Sequence, residues 1–172
     1  MMRTTPVSAP DPKGQHHAVL HLEPGFVATE AAAVQDVLRI ANRHLGRPRF
    51  RLSVTTSSGQ ELVESLSGSL VRAGLADWPL LRPDHLILGG GYGIGQAFAA
   101  RMPDIARQRR AGAQCLFLSD AAAEWARRSG SAEPVTAHWE NRGALEETHP
   151  CLSMGGGIYS AHGGTITSAG MG

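Results

Sequence analysis

The sequence predicts one α/β domain with a mostly parallel sheet, and three observations lead to this prediction. Short apolar segments alternate with segments whose apolar residues recur every three or four positions. Several of the apolar segments end in a turn that leads directly into a helical segment. The 172 residues are enough for one sizeable core. Because strands that alternate with helices form parallel sheets joined by right-handed crossovers, we expect a flavodoxin-like three-layer sandwich.

The first half of the chain is predicted to hold two strands joined by a helix. Residues 17–22 form the first strand and residues 50–55 the second. Thr29 is expected to cap the intervening helix, and Gly46 to end it. Residues 56–83 carry weaker signals, typical of small strands and turns. The apolar positions of the helix recur at amphipathic spacing and are Val34, Val37, Leu38, Ala41 and Leu45.

The second half repeats the strand–helix alternation. Residues 85–88 and 113–118 are predicted strands, and residues 119–128 are a predicted helix. A further short helix is expected near Trp139, and residues 155–167 have the pattern of a closing hairpin. Between the two strands lies another helix, whose apolar face is Phe98, Met102, Ile105 and Ala106.

Composition excludes several classes of function. A formal net charge of +1 offers no basic face, so we do not expect this chain to bind nucleic acid by itself. Cys115 and Cys151 are too few for a disulfide framework or a zinc cage, which favours a reducing cytoplasm. No apolar run is long enough to cross a membrane, and the amino terminus lacks the apolar core of a signal peptide. Residues 1–16 are polar, contain three prolines and are predicted to form a flexible tail.

The most informative position is Ser119, where an apolar strand turns directly into a helix. Open α/β sheets bind ligands at such corners, because the unpaired N–H groups of the helix start face the crevice. Serine is a favoured helix cap, and capping is the simpler role for Ser119. A nucleophilic serine would need a base; His138 is a candidate, and Glu30 could point at the same crevice. Asp120 opposes oxyanion chemistry and favours a neutral or cationic ligand.

A glycine run, Gly89-Gly90-Gly91, follows the strand at residues 85–88. Its spacing satisfies neither the dinucleotide fingerprint nor the P-loop. One interpretation is a tight turn, since glycine permits the necessary backbone angles. The other is a loop whose N–H groups face the pocket above Ser119 and supply an anion or oxyanion contact.

Several segments together resemble a known family. The chain resembles the N-terminal sensor domain of AraC-type transcriptional regulators, which is ThiJ/PfpI-like and related to class I glutamine amidotransferases. The Leu-Arg-x-Ala-Asn segment at residues 38–42 and the Thr-x-His-Trp-Glu segment at residues 136–140 are rather specific. The order and spacing match over most of the chain. The other matching segments are Pro24-Gly25-Phe26, Glu30, Gly46-Arg47-Pro48, residues 84–91, the strand that leads to Ser119, and residues 167–170.

The resemblance also assigns positions. Enzymes of the wider superfamily carry a cysteine where this chain has Ser119; their helix-one acid falls on Glu30, and a partner histidine falls on His138. Regulators of this type commonly have Cys-Thr-Gly at the corner, whereas this chain has residues Ser119-Asp120-Ala121. Cys115 is no substitute, because a thiol inside an apolar strand is usually inert.

Family members continue from the last matching segment into another helix, a linker and two helix-turn-helix units. The resemblance therefore implies that residues 17–172 form a ThiJ/PfpI-like domain truncated at its C-terminus, with the helix-turn-helix DNA-binding domain absent from this chain. A missing helix would leave an apolar face of the sheet exposed.

The sequence thus predicts a cytoplasmic, homodimeric ligand-sensing domain that binds a small metabolite without turning it over. By resemblance, that metabolite is nitrogenous, as a betaine or an amino acid is. No cofactor or metal is expected, and DNA would be contacted only through the absent domain. The alternative is a free-standing hydrolase or hydratase that uses Ser119 with His138, and a third candidate is an inactive dimer scaffold. Trp125 and Trp139 are expected in the core, or alternatively against a cationic ligand. The predicted ligand-binding residues are Glu30, Gly89, Gly90, Gly91, Ser119, Asp120 and His138.

Overall fold

The computed structural model describes residues 14–130 and 132–170. A seven-stranded sheet with the order β5-β2-β1-β6-β7-β9-β8 dominates this part of the chain, and β3 and β4 form a separate hairpin. The elements in chain order are β1 (His16–His21), α1 (Ala28–His44), β2 (Phe50–Thr56), β3 (Leu62–Glu64), β4 (Leu70–Arg72), β5 (Gly74–Leu75), β6 (His85–Leu88), α2 (Ile94–Arg110), β7 (Gln114–Leu118), α3 (Asp120–Ser129), α4 (Trp139–Thr148), β8 (Tyr159–His162) and β9 (Thr165–Ser168).

Strand pairing confirms the mostly parallel α/β sandwich. Strand β1 is an interior strand, parallel to β2 on one side and to β6 on the other. Strand β7 continues the parallel set from β6 to β9. The closing hairpin is present, because β8 pairs antiparallel with β9. All of these parallel strands end at one edge of the sheet, so the residues that follow β6 and β7 lie side by side there.

Side chains alternate between two cores, one on each face of the sheet. Val19, Leu86 and Phe117 pack with buried residues of α2, α3 and α4. Their neighbours Leu20 and Ile87 point the other way, into a second core with residues of α1. Near-continuous apolar strands are typical of a parallel sheet with both faces buried. The result is a three-layer arrangement with unequal cover, because α1 is the one described helix of the second core.

An apolar groove lies beside α1, where the second face of the sheet is less covered. It has a volume of about 360 Å³. The amphipathic pattern of α1 suggested burial, but Val37 is 63% exposed and Leu45 is 50% exposed. Apolar residues of α1 and its C-cap are therefore exposed, whereas exposure of a face of the sheet by a missing helix stays a prediction. The groove is lined by Glu30, Ala33, Val34, Val37, Leu38, Ile87, Leu116, Leu118, Ser168 and Gly170.

Two local predictions are corrected by the structure. Helix α1 begins one residue before Thr29, and its N-cap is Val27, which makes no side-chain capping bond. The predicted tail at residues 1–16 is too long, because His16 already pairs in β1; residues 1–13 lie outside the described residues. Gly46 does follow the helix end and has a φ of 63°, as a helix terminator should.

Within residues 14–130 and 132–170, no helix is both long enough and apolar enough to cross a bilayer.

Candidate functional site

Ser119 occupies the corner between β7 and α3 in a strained backbone conformation. Its φ of 37° makes it the one residue other than glycine with a positive φ among those described. The predicted capping role is wrong, because the side chain makes no capping bond. Its main-chain carbonyl instead accepts hydrogen bonds from the N–H groups of Ala122 and Ala123. The Ser119 hydroxyl is buried and makes no well-aligned hydrogen bond within the described residues.

Glu30 projects from the first turn of α1 into the same corner and is buried. Its carboxylate accepts a hydrogen bond of 2.8 Å from the N–H of Gly90. Burial raises the pKa of Glu30, and the Asp120 charge raises it further. The Ser119 hydroxyl, the Gly90 N–H and His138 offset part of that increase in pKa. The hydroxyl therefore lies close enough to favour the charged carboxylate, although the alignment is poor for a hydrogen bond.

Asp120 connects three elements across the crevice. One carboxylate oxygen accepts from the N–H of Gly91 at 2.9 Å, in the loop after β6. The other accepts from the side-chain amide of Asn141 in α4, also at 2.9 Å. Because Asp120 itself begins α3, its carboxylate also lies at the positive end of that helix dipole.

The N–H groups of the glycine loop are already engaged. Gly89 donates to the carbonyl of His21 at 3.1 Å, while Gly90 and Gly91 donate to the two carboxylates. Close packing requires glycine here, since a side chain at Gly90 would collide with the Ser119 hydroxyl. The loop is thus both a tight turn and a set of donors at the corner, but its donors are paired with the protein's own carboxylates.

His138 lies at the start of α4 and does not contact Ser119 through a hydrogen bond. Its Nδ1 accepts from the N–H of Glu140 at 3.4 Å, so His138 caps its own helix. The structure therefore brings Glu30, and not His138, against the Ser119 side chain. His138 is therefore not within hydrogen-bond reach of the serine, although the Ser119–His138 alternative requires it to be; the ionisable side chain against the hydroxyl in the described conformation is Glu30.

The two tryptophans that were considered together have different environments. Trp125 is buried and stacks on Phe117 with ring centroids 4.8 Å apart, so its predicted core role is confirmed. Trp139 is 71% exposed, and its predicted core role is therefore wrong. Tyr92, which follows the glycine loop, is 89% exposed. Trp139 and Tyr92 are close in sequence to Asn141 and Gly91, the two partners of Asp120.

A buried polar network beside the glycine loop was not predicted from the sequence. His21 Nε2 lies 2.8 Å from Glu23 Oε1, and its Nδ1 lies 3.1 Å from the Thr55 hydroxyl. The Ser57 N–H donates to the same Glu23 oxygen, and the indole N–H of Trp78 donates to the Ser57 hydroxyl. A histidine at the end of β1, directly after three apolar residues and two residues before a glutamate, was the available signal. Burial alone would raise the pKa of Glu23, but its hydrogen bonds with His21 and Ser57 lower it.

Comparison with solved structures identifies the class of fold. The chain is similar to an AraC family transcriptional regulator from Pseudomonas putida, with 19% identity, a TM-score of 0.77, and coverage of 90% of this chain and 83% of that chain. It is also similar to a mutant of a DJ-1 superfamily protein from Salmonella typhimurium, with 20% identity, a TM-score of 0.71, and coverage of 91% and 82%. A ThiJ/PfpI domain protein from Brachyspira murdochii gives 12% identity, a TM-score of 0.69, and coverage of 91% and 88%.

These similarities define the fold as the flavodoxin-like fold of DJ-1, ThiJ and PfpI proteins. At the sequence level, no family model matches the chain, and no curated protein matches it. Proteins with this fold include transcriptional regulators and DJ-1 superfamily members, so the function has to be argued from the site itself.

Proposed function

We propose that this chain is the ligand-sensing and dimerising domain of an AraC-type transcriptional regulator, and that it binds a small metabolite without turning it over. One observation carries the proposal: the N–H groups of Gly90 and Gly91 are already hydrogen-bonded to Glu30 and Asp120. Acyl transfer needs donors that await a developing negative charge. Here two carboxylates take those donors, so the corner suits recognition better than oxyanion chemistry.

The carboxyl groups of the crevice, together with exposed aromatic residues close to it in sequence, favour a nitrogenous ligand. Asp120 and Glu30 bring two carboxyl groups to the corner. Trp139 and Tyr92 are exposed aromatic residues that lie two residues before Asn141 and one residue after Gly91, the two partners of Asp120. A carboxylate combined with aromatic faces is a common arrangement for binding organic cations. The ligand is therefore a small molecule with an ammonium group, and its occupancy biases the arrangement of the dimer.

A ligand screen tests this proposal. Selective binding to the folded state raises the melting temperature. We expect choline and glycine betaine to stabilise the protein, and the uncharged analogue 3,3-dimethyl-1-butanol and acetate to have little effect. Circular dichroism should follow the unfolding. Stabilisation should be lost in Trp139→Ala and kept in Tyr159→Ala, which removes an exposed aromatic residue from β8.

The dimer and the regulatory role need separate tests. Sedimentation equilibrium should give twice the monomer mass. The reading frame downstream of the Gly172 codon should encode a helix-turn-helix domain. A reading frame that ends without encoding such a domain would count against the regulator. If no compound of any charge shifts the melting temperature, the sensor role itself is wrong.

The enzyme alternative is supported by a different observation, the geometry of Ser119. Strained backbone conformations cluster at catalytic sites, and a φ of 37° is strained for serine. Among the described residues, its buried hydroxyl also lacks a well-aligned hydrogen-bond partner. A hydrolase or hydratase that uses Ser119 with His138 would require His138 to approach the hydroxyl. Labelling by a fluorophosphonate that disappears in Ser119→Ala would favour this alternative over the sensor.

A further inference from the structure

Most residues of helix α4 are exposed to solvent. Its one buried side chain is Leu145. Other polar side chains of the helix pair locally, as Arg142 does with Glu146 at 2.8 Å, and the reach of Arg142 to the Gly155 carbonyl is long at 3.5 Å. The bond from Asn141 to Asp120 is therefore a principal tie between α4 and the crevice.

Asp120 uses its two oxygens on two different elements. The oxygen that does not hold α4 holds the glycine loop through the N–H of Gly91. A carboxylate shared in this way couples the loop to α4, because a shift of Asp120 alters both bonds. The Gly91 N–H is also the donor that an incoming anionic group would need, so Asp120 occupies the place of such a group.

We propose that Asp120 is a latch that ties α4 to the glycine loop and blocks the Gly91 N–H until it is displaced. A ligand that carries both a carboxylate and an ammonium group displaces it by exchange: the ligand carboxylate takes the Gly91 N–H, and Asp120 turns to the ammonium group. The tie to Asn141 then breaks, and α4 moves together with Trp139. The trigger rests on the proposed function, whereas the latch itself is a property of the unliganded chain and can be tested without a ligand.

Hydrogen exchange followed by mass spectrometry tests the latch. We expect amides of residues 139–148 to exchange about tenfold faster in Asp120→Ala and in Asn141→Ala, since each change removes a hydrogen bond to a charged group. The double variant should exchange no faster than the faster single variant, because both changes break the same tie. Glu147→Gln, an exposed change on the same helix, should leave the exchange unchanged.

Chemical rescue tests the role of the Gly91 N–H. Sodium acetate should restore part of the protection of α4 in Asp120→Ala, because acetate can accept from both Gly91 and Asn141. Acetate should not restore the protection of α4 in Asn141→Ala. Sodium chloride at the same ionic strength should not restore it in either variant. The latch is refuted if neither single variant alters exchange in α4, or if amides of β1 and β6 accelerate equally. Rescue of Asn141→Ala by acetate would also overturn it.

Discussion

The Ser119 hydroxyl lies where a side chain at Gly90 would have to be. An added Cβ at Gly90 would also meet the backbone of Leu118 and the N–H of Asp120, both at 3.1 Å. The glycine loop and the strained corner are thus fitted directly against each other. Neither can change in size without moving the other.

Gly90→Ala should therefore be destabilising. The new methyl group must displace the Ser119 side chain or the loop, which costs about 1–3 kcal/mol for overpacking of this kind. Urea denaturation measures the change in the free energy of unfolding. Gly143→Ala is the matched control, because its Cβ meets nothing within 4 Å and alanine is favoured in a helix by up to about 1 kcal/mol. Equal stability of Gly90→Ala and the wild type would contradict the described packing.

The backbone conformation of Ser119 predicts that glycine is more stabilising than alanine at this position, the reverse of the order at a helical position. Glycine adopts positive φ without steric cost, whereas alanine keeps the strain of the φ at 37°. We expect Ser119→Gly to be more stable than Ser119→Ala by about 1 kcal/mol, measured by urea denaturation. At Ala144, an exposed helical position, Ala144→Gly should instead lower stability by about 1 kcal/mol. If the alanine variant were more stable than the glycine variant at position 119, as at position 144, the backbone of Ser119 would be unstrained.

Glu30 should make stability fall as the pH rises. Its folded pKa lies above the ordinary value of 4.5, mainly because of burial. A raised carboxyl pKa means that folding favours the protonated form, so its contribution is fully present below pH 4.5 and is lost as the pH rises through the folded pKa. Glu30→Gln keeps an acceptor for the Gly90 N–H and cannot ionise. Wild type should therefore lose stability relative to this variant as the pH rises above 4.5, and a difference that does not change with pH would exclude the raised pKa.

Glu23 should behave in the opposite way. Burial would raise its pKa, but its hydrogen bonds with His21 and Ser57 outweigh that and lower it below 4.5. Its contribution is therefore present above pH 4.5 and is lost as the pH falls through the folded pKa. Wild type should lose stability relative to Glu23→Gln on acidification. Urea denaturation across the same pH series as for Glu30→Gln tests this directly, since the two difference curves should have opposite slopes.

The two cysteines should react very differently with iodoacetamide. Cys115 is buried, and burial raises its pKa to about 12, whereas Cys151 is exposed. Thiolate is the reactive form, so the native protein should be alkylated at Cys151 alone. Peptide mass spectrometry after labelling, with and without urea, gives the site. Modification of Cys115 in the native state would mean that β7 opens readily.

Much of the fold could be predicted because apolar periodicity is a local signal. The strands at residues 85–88 and 113–118 and the helix after Ser119 were all placed from spacing alone. The sequence could not predict the exposure of Val37. Helix α1 has the apolar spacing of a helix that faces a core, but fewer residues pack against it. The burial of a helix depends on which elements pack against it, and the spacing of its apolar residues does not contain that information.

The sequence predicted which residues form the candidate site better than it predicted the hydrogen bonds between them. Glu30, Asp120 and the glycine loop do converge at the corner, because parallel strands end at one edge. The pairing of each carboxylate with a particular N–H depends on ångström-scale loop geometry and could not be read from the sequence. The same holds for His138, whose ring caps α4 in place of approaching Ser119.

The groove beside α1 has a practical consequence for anyone who handles this protein. Environment-sensitive dyes fluoresce when they bind an apolar surface. The groove of about 360 Å³, lined mainly by aliphatic side chains, offers them such a surface on the native protein. Dye-based melting curves would begin with a high baseline and could report dye displacement as if it were stabilisation. Intrinsic optical signals avoid this artefact.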